Sequence, residues 1–413
     1  MKILMLTPYV TIDGNSKFER NKTGFGYMVM DIAKAVGKLE DVEVLATDTR
    51  GEAFETADVK FLKRSLPSYI LNLFSCLPLN RLIQLRKQYP MSKRSFVRVA
   101  YYWLMTGYLC KLIKKNKYDI VHIHGCGFST ELWMQVCNSI KQKYVVTLHG
   151  LNSFSDTIHL EQGAKQYERG FLKSVVDGMH TITVISTGMK KKIEKMSGII
   201  ECKQICVVCN SFSFNEIQKN NHKVREKYGI PPNGKVVLSV GNIANNKNQI
   251  QLVRSFSHLS EDMQRNTYVL FCGKPDPKCG VELEIAKQKL YSHFLICGVI
   301  DKKDLSAFYR ESDCVVLLSI AEGFGLSLIE GMHFGKPCMS FTDVDAFMDI
   351  YNPDAMIGVG SHSDEAVAEG LELLLTKNWD KNRIVECSRK FDSITMSKNY
   401  IKVYKGILAK DNQ

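Results

Sequence analysis

Short β-branched runs alternate with helical stretches along the whole chain, in two successive arrays. In the first array the strand candidates are 2–6, 42–46, 120–124, 144–148, 181–185 and 204–209. Helical patterns lie between them at about 26–38, 95–115, 131–141, 159–176 and 187–196. The second array has strands at 236–240, 268–272, 294–297, 314–318 and 337–341, with helices near 248–259, 281–290, 303–311, 327–334 and 365–375. Strands separated by helices pair in parallel, because only a crossover returns the chain to the same end of the sheet. Continuous apolar strands such as Val315-Val316-Leu317-Leu318 fit a sheet covered on both faces. Two such arrays predict an α/β chain of two doubly wound, parallel-sheet, Rossmann-like domains. Ligand is expected in the cleft they face across, at the carboxyl ends of the strands.

The boundary falls in the polar stretch 210–234, where Pro231-Pro232-Asn233-Gly234 can continue neither a helix nor a central strand. The expected domains are 1–212 and 213–390, with a last helical segment, 391–413, packing back on the first. A length of 413 residues, 45% hydrophobic and 24% charged, is ordinary for a globular protein. No apolar stretch approaches the ~20 residues of a membrane span. The opening run Met1–Leu6 reads as a strand ending before Pro8, not as a signal peptide, so the chain is expected to stay in the cytoplasm. Thirteen cysteines, an odd number set mostly in apolar runs, read as small hydrophobes in a reducing compartment.

The net charge of +12 is concentrated in one window. Between Asp58 and Asp119 there is no acidic residue, against thirteen basic ones, and Leu, Tyr, Phe and Trp103 are interleaved with them. A basic amphipathic segment suits an anionic membrane surface or a negatively charged substrate, and residues 59–118 are the candidate membrane partner. A solvated basic face over a buried helix is the plainer reading. Nucleic acid is not expected, because the rest of the chain is close to neutral.

The strongest chemical signal is Ser319-Ile-Ala-Glu322-Gly323-Phe324-Gly325-Leu326-Ser327-Leu-Ile-Glu330-Gly331. It follows a buried strand directly. Gly323 and Gly325 allow a tight turn and close approach of a ligand. A helix starting near Leu326 would present free N–H groups to an anion such as phosphate. Glu322 and Glu330 bracket that site, and carboxylates beside a phosphate seat suit hydrogen bonds from sugar or ribose hydroxyls.

This Glu-x7-Glu segment resembles the signature of family 4 retaining glycosyltransferases of the GT-B fold. Other segments follow in the family's order. Val240-Gly241-Asn242-Ile243-Ala244-Asn245-Asn246-Lys247 resembles its strand–Gly-Arg-Leu-x-x-x-Lys segment. Gly298-Val299 with Asp304–Tyr309 and Ser312-Asp313 resembles the next repeat, and Val207-Val-Cys-Asn210 the end of the first domain. His122-Ile-His124-Gly125 and Thr147-Leu-His149 resemble the first domain's cleft strands, and Lys22-Thr23-Gly24-Phe25-Gly26 its paired-glycine loop.

The resemblance implies roles. Glu330 would bind the ribose hydroxyls of a nucleotide-diphospho-sugar, and Glu322 would touch the transferred sugar. The segment Gly323, Phe324, Gly325 and Leu326 would hold diphosphate or sugar, and Lys247 would neutralise the leaving diphosphate. Gly24 would let its loop reach the phosphates, and His149 would contact the sugar near the anomeric centre. No metal and no cofactor beyond the sugar nucleotide is implied. Two departures stand out: Asn242 replaces the family's phosphate-binding Arg, and Thr23 replaces the first loop glycine.

The function this implies is transfer of a sugar to a sugar hydroxyl with retention. The acceptor would be a lipid-linked oligosaccharide or polysaccharide precursor at the inner membrane face. A nucleotide-sugar epimerase of the same fold and a noncatalytic nucleotide- or anion-binding protein are the alternatives. Three weaker signals are discounted: the Cys202-x3-Cys206-x2-Cys209 spacing, the Asp343-Val-Asp345 pair and the incomplete dinucleotide fingerprint at Gly24-Phe25-Gly26.

Overall fold

The computed structural model describes residues 1–12, 15, 18, 23–48, 53–63, 66–154, 160–212 and 223–409. The chain divides into two compact units. The first comprises Met1–Ile185, Met189–Cys209 and Ser393–Gln413, and the second Ser186–Gly188 and Asn210–Asp392.

The first unit is built on an eight-stranded sheet of order β3-β4-β2-β1-β5-β6-β7-β8. Its strands are β1 (Lys2–Thr7), β2 (Asp41–Ala46), β3 (Phe54–Glu55), β4 (Lys60–Phe61), β5 (Ile120–His124), β6 (Tyr144–Leu148), β7 (Ile182–Val184) and β8 (Ile205–Val207). Every pairing is parallel except the short β3–β4 edge. Ile3, Leu4, Met5 and Leu6 are all fully buried, so both faces of the central strand are covered. One cover is the Gly24–Gly37 helix, which buries Val29, Ile32, Ala33 and Val36. Beside it lies the Ser393–Ala409 helix, whose Met396, Tyr400, Tyr404 and Ile407 recur at helical spacing and enter the same hydrophobic cluster. Tyr404 OH lies 2.8 Å from His122 Nδ1 on β5.

The second unit has a six-stranded, all-parallel sheet of order β11-β10-β9-β12-β13-β14. These strands are β9 (Lys235–Val240), β10 (Thr267–Cys272), β11 (Phe294–Gly298), β12 (Cys314–Leu317), β13 (Cys338–Phe341) and β14 (Met356–Val359). The Leu326–His333 helix lies so close to β12 that a Cβ on Gly331 would sit 2.6 Å from Val315 Cγ2.

Several elements were not legible in the sequence. β14 is a sheet edge, half-exposed and carrying Gly358, so its hydrophobic signal is weak. β3 and β4 are two residues each. The Leu66–Leu71 and Leu79–Gln88 helices bury only Tyr69, and Leu82 with Leu85, which leaves no long apolar stripe to read. None of the thirteen cysteines is in a disulfide.

Candidate active site

In both units the position of the site follows from strand order. β1 lies between β2 and β5, so the chain leaves it to one side and later returns on the other. Loops after such a strand and its neighbour diverge and open a crevice at the carboxyl ends. A cavity of about 350 Å³ lies there in the first unit, lined by Pro8 and Tyr9 after β1, Gly125–Gly127 after β5, and His149 after β6.

His149 and His124 meet in this cavity, with His149 Nε2 3.1 Å from His124 Nδ1. The Phe25 ring stands edge-on to His149 at 5.0 Å. His124 in turn packs on His122, the ring centroids 4.0 Å apart. His122 is satisfied at both nitrogens, by Tyr404 and by Thr147 Oγ1 at 2.6 Å. Burial holds all three imidazoles neutral: His122 is lowered to about 3, His149 to about 4, and His124 well below the usual histidine range.

Two neutral rings in contact share one proton. Whichever ring donates, its outer nitrogen becomes an acceptor and the other ring's outer nitrogen a donor. Those outer atoms, His149 Nδ1 and His124 Nε2, are buried with no partner among the described residues. The pair therefore keeps one donor and one acceptor unspent beside the cavity. The sequence placed His124 in a cleft-strand motif without giving it a role, although His-x-His on a strand places both rings on one face.

Gly24 is exposed, with nothing near a Cβ placed on it. Thr23 caps the following helix by accepting from Gly26 N at 3.3 Å, which accounts for a threonine where the family has glycine. The glycine that packing requires is Gly26, where a Cβ would meet Thr11 Oγ1 at 2.2 Å.

In the second unit β9 is flanked by β10 and β12, so the loops after β9 and β12 part in the same way. Ile320 N donates to Asn246 O at 2.9 Å and pins the two loops together. This contact brings Lys247 to Glu322, and their side chains form a hydrogen-bonded ion pair. Gly325 adopts φ 85°, the left-handed turn that starts the Leu326–His333 helix. The turn aims the Phe324 and Gly325 amides at Glu322. Burial pushes the Glu322 carboxyl up, but Lys247 and these two amides outweigh it and hold it below the usual range. The carboxylate thus occupies an anion seat made of one ammonium group and two N–H dipoles.

Gly323 and Leu326 flank that seat, and Phe324 is buried with its ring edge-on to Phe391 at 5.7 Å. Glu330 is separate and is oriented by a hydrogen bond from Tyr309 OH. Burial raises the Tyr309 phenol well above its ordinary range, so it stays a donor. Asn242 is exposed after β9, its carbonyl accepting from Gln249 Nε2 at 3.0 Å. Asp343, from the discounted acidic pair, lies 2.9 Å from His362 Nε2.

Residues 23–214 match the family model described as Glycosyltransferase Family 4, and residues 220–391 the one described as Glycosyl transferases group 1. The chain belongs to glycosyltransferase family 4, is a glycosyltransferase, and has the GT-B fold. A 2-deoxystreptamine N-acetyl-D-glucosaminyltransferase of Niallia circulans is 24% identical over 290 residues, 63% of this chain and 71% of the relative. Among solved structures, sucrose-phosphate synthase from Thermosynechococcus elongatus superposes with TM-score 0.72 at 14% identity, over 99% of this chain and 100% of that one. Anabaena Alr3699/HepE, solved in complex with UDP, gives 0.68 at 15% identity, over 98% and 100%. At such identities these two likenesses speak for the fold.

Proposed function

We propose that this chain moves a sugar from a nucleotide-diphospho-sugar to a hydroxyl of a lipid-linked glycan, retaining the anomeric configuration. The observation that carries the reading is the anion seat around Glu322. A diphosphate is the stronger anion and competes for Lys247 and the Phe324 and Gly325 amides. Glu322, displaced, then accepts hydrogen bonds from the transferred sugar. Glu330, set by Tyr309, binds the ribose hydroxyls. The UDP in the HepE structure, a protein of the same fold, supports a nucleotide donor.

Breaking the sugar–phosphate bond builds negative charge on the departing diphosphate. Fixed dipoles and one lysine stabilise that charge where it forms, so the reaction in this reading needs no metal. The departing phosphate takes the acceptor's proton on the same face, which gives retention without a protein nucleophile. Asn242 supplies no charge where the family has arginine, so the donor is held with one cation fewer. The first unit, with His149 beside its cavity, binds the acceptor and the second binds the donor. The chain works in the cytoplasm at the membrane face, in polysaccharide assembly.

Nucleotide release measured with and without a glycan acceptor tests this. Acceptor-dependent release with an axial or equatorial product matching the donor is expected. Isomerised sugar nucleotide without transfer would indicate an epimerase, and neither product a binding protein.

A further inference from the structure

We infer that the turn between the Leu66–Leu71 and Leu79–Gln88 helices, with the start of the Lys93–Asn116 helix, is a docking surface for an anionic lipid leaflet. The inference rests on the lipid-linked acceptor proposed above and assigns that acceptor's route to named residues.

Eight large apolar side chains in this one stretch are exposed: Leu66, Ile70, Leu71, Leu73, Phe74, Leu79, Ile83 and Val97. Phe74 is fully exposed and Leu71 78% exposed. Soluble surfaces rarely cluster such residues without a partner. Arg81, Arg86, Lys87, Lys93, Arg94 and Arg98 are exposed around them. None of the six is ion-paired among the described residues.

The exposure is held in place. Leu82 and Leu85 seat one helix on a small core with Tyr69, Val99, Tyr102 and Met105, so Leu79, Ile83 and Arg86 share the outward face. Trp103 Nε1 donates to Leu77 O at 2.8 Å, and Leu77 N to Thr106 Oγ1 at 3.0 Å. A Cβ on Gly107 would lie 2.1 Å from Asn72 O, so the turn bearing Phe74 is pressed directly on the long helix. A turn that presents Phe and Leu, continued by a helix and a helix start that carry exposed cations, matches an interface of acyl chains below phosphate headgroups. A second copy of this chain fits poorly, because a symmetric contact would bring two basic surfaces together.

Aromatic contacts also join the end of the second helix to the cavity wall. Tyr89, at the end of the Leu79–Gln88 helix, packs on Phe128 at 5.8 Å and on Tyr167 at 5.6 Å. Phe128 opens the Phe128–Ser139 helix, and its neighbours Gly127, Ser129 and Thr130 line the cavity of His124 and His149. A headgroup glycan anchored at the patch therefore has the cavity within the same unit to enter. Lys114, Lys115 and Lys117 belong to the last turns of the long helix, where no large apolar side chain is exposed among the described residues.

Co-sedimentation with phosphatidylcholine vesicles, with and without phosphatidylglycerol, tests the assignment. Binding that requires phosphatidylglycerol is expected. Leu71→Ser with Phe74→Ser should weaken it at least tenfold, and each of Arg81→Gln, Arg94→Gln and Arg98→Gln about fivefold. All these sites are exposed, and an unchanged melting temperature verifies the fold. Equal binding by the Leu71/Phe74 variant and the unaltered chain would overturn the proposal. So would binding indifferent to phosphatidylglycerol, or a concentration-dependent dimer that the Phe74→Ser substitution abolishes. Transfer to a water-soluble acceptor should survive the patch substitutions. Vesicle binding without any transfer would defeat the functional reading and leave the docking surface standing.

Discussion

Lys247 carries the most specific consequence among single residues. Its ammonium group pairs with Glu322 in this structure and stabilises leaving diphosphate in the proposed reaction. Lys247→Ala is expected to lower kcat by about 100- to 1,000-fold, the usual cost of removing one transition-state charge partner. The fold should persist, because two amides still hold the Glu322 carboxylate. Near-normal transfer by the variant would remove Lys247 from the phosphate role. The Glu-x7-Glu spacing made Glu322 and Glu330 legible as site residues. It did not show that Glu322 would sit in the anion seat itself, because that depends on Ile320 bonding Asn246 across two loops. Tyr309 and His124 stood in matched motifs, but their roles escaped for the same reason. Each matters through a partner distant in sequence, Glu330 or His149, and no local pattern marks such a pairing.

Among elements, the Ser393–Ala409 helix is the most informative. Its helical character was legible, and so was its return to the first domain. Its hydrogen bond from Tyr404 to the buried His122 was not, since the two residues are 282 positions apart in sequence. Tyr404→Phe strands His122 Nδ1 in the interior and should cost about 1–3 kcal/mol of stability, read by urea denaturation. An unchanged midpoint would show that the ring, not the hydroxyl, is what the sheet requires. The Leu66–Leu71 and Leu79–Gln88 helices went unread because they bury so little. The same sparse burial is what makes their outer face available.

Taken whole, the molecule repeats one solution. Each unit places its site where strand order reverses, after β1 and β5 in one and after β9 and β12 in the other. The alternation of strands and helices predicted both sheets. The strand orders, which decide where the loops part, came only from pairing. The buried histidines also give the whole protein a pH dependence. Their folded pKa values lie below the unfolded one, His122 at about 3 and His149 at about 4. Between pH ~6.5 and those values the unfolded chain binds protons that the folded chain refuses. Stability therefore rises with pH across that window and is lost on acidification. Urea midpoints should fall steadily from about pH 6.5 towards pH 4. His149→Gln should flatten part of that slope, and an identical slope would mean His149 already titrates normally in the folded protein.

The Ser393–Ala409 helix fills the first unit's core, yet the ribosome makes it after the whole of the second unit. During synthesis the first sheet must wait with Val29, Val36 and the β5 histidine uncovered, while residues 210–392 can already close on themselves. The half that begins first is thus finished last. A chain truncated before residue 393 and released should accordingly hold a folded second unit and a first unit still open to protease.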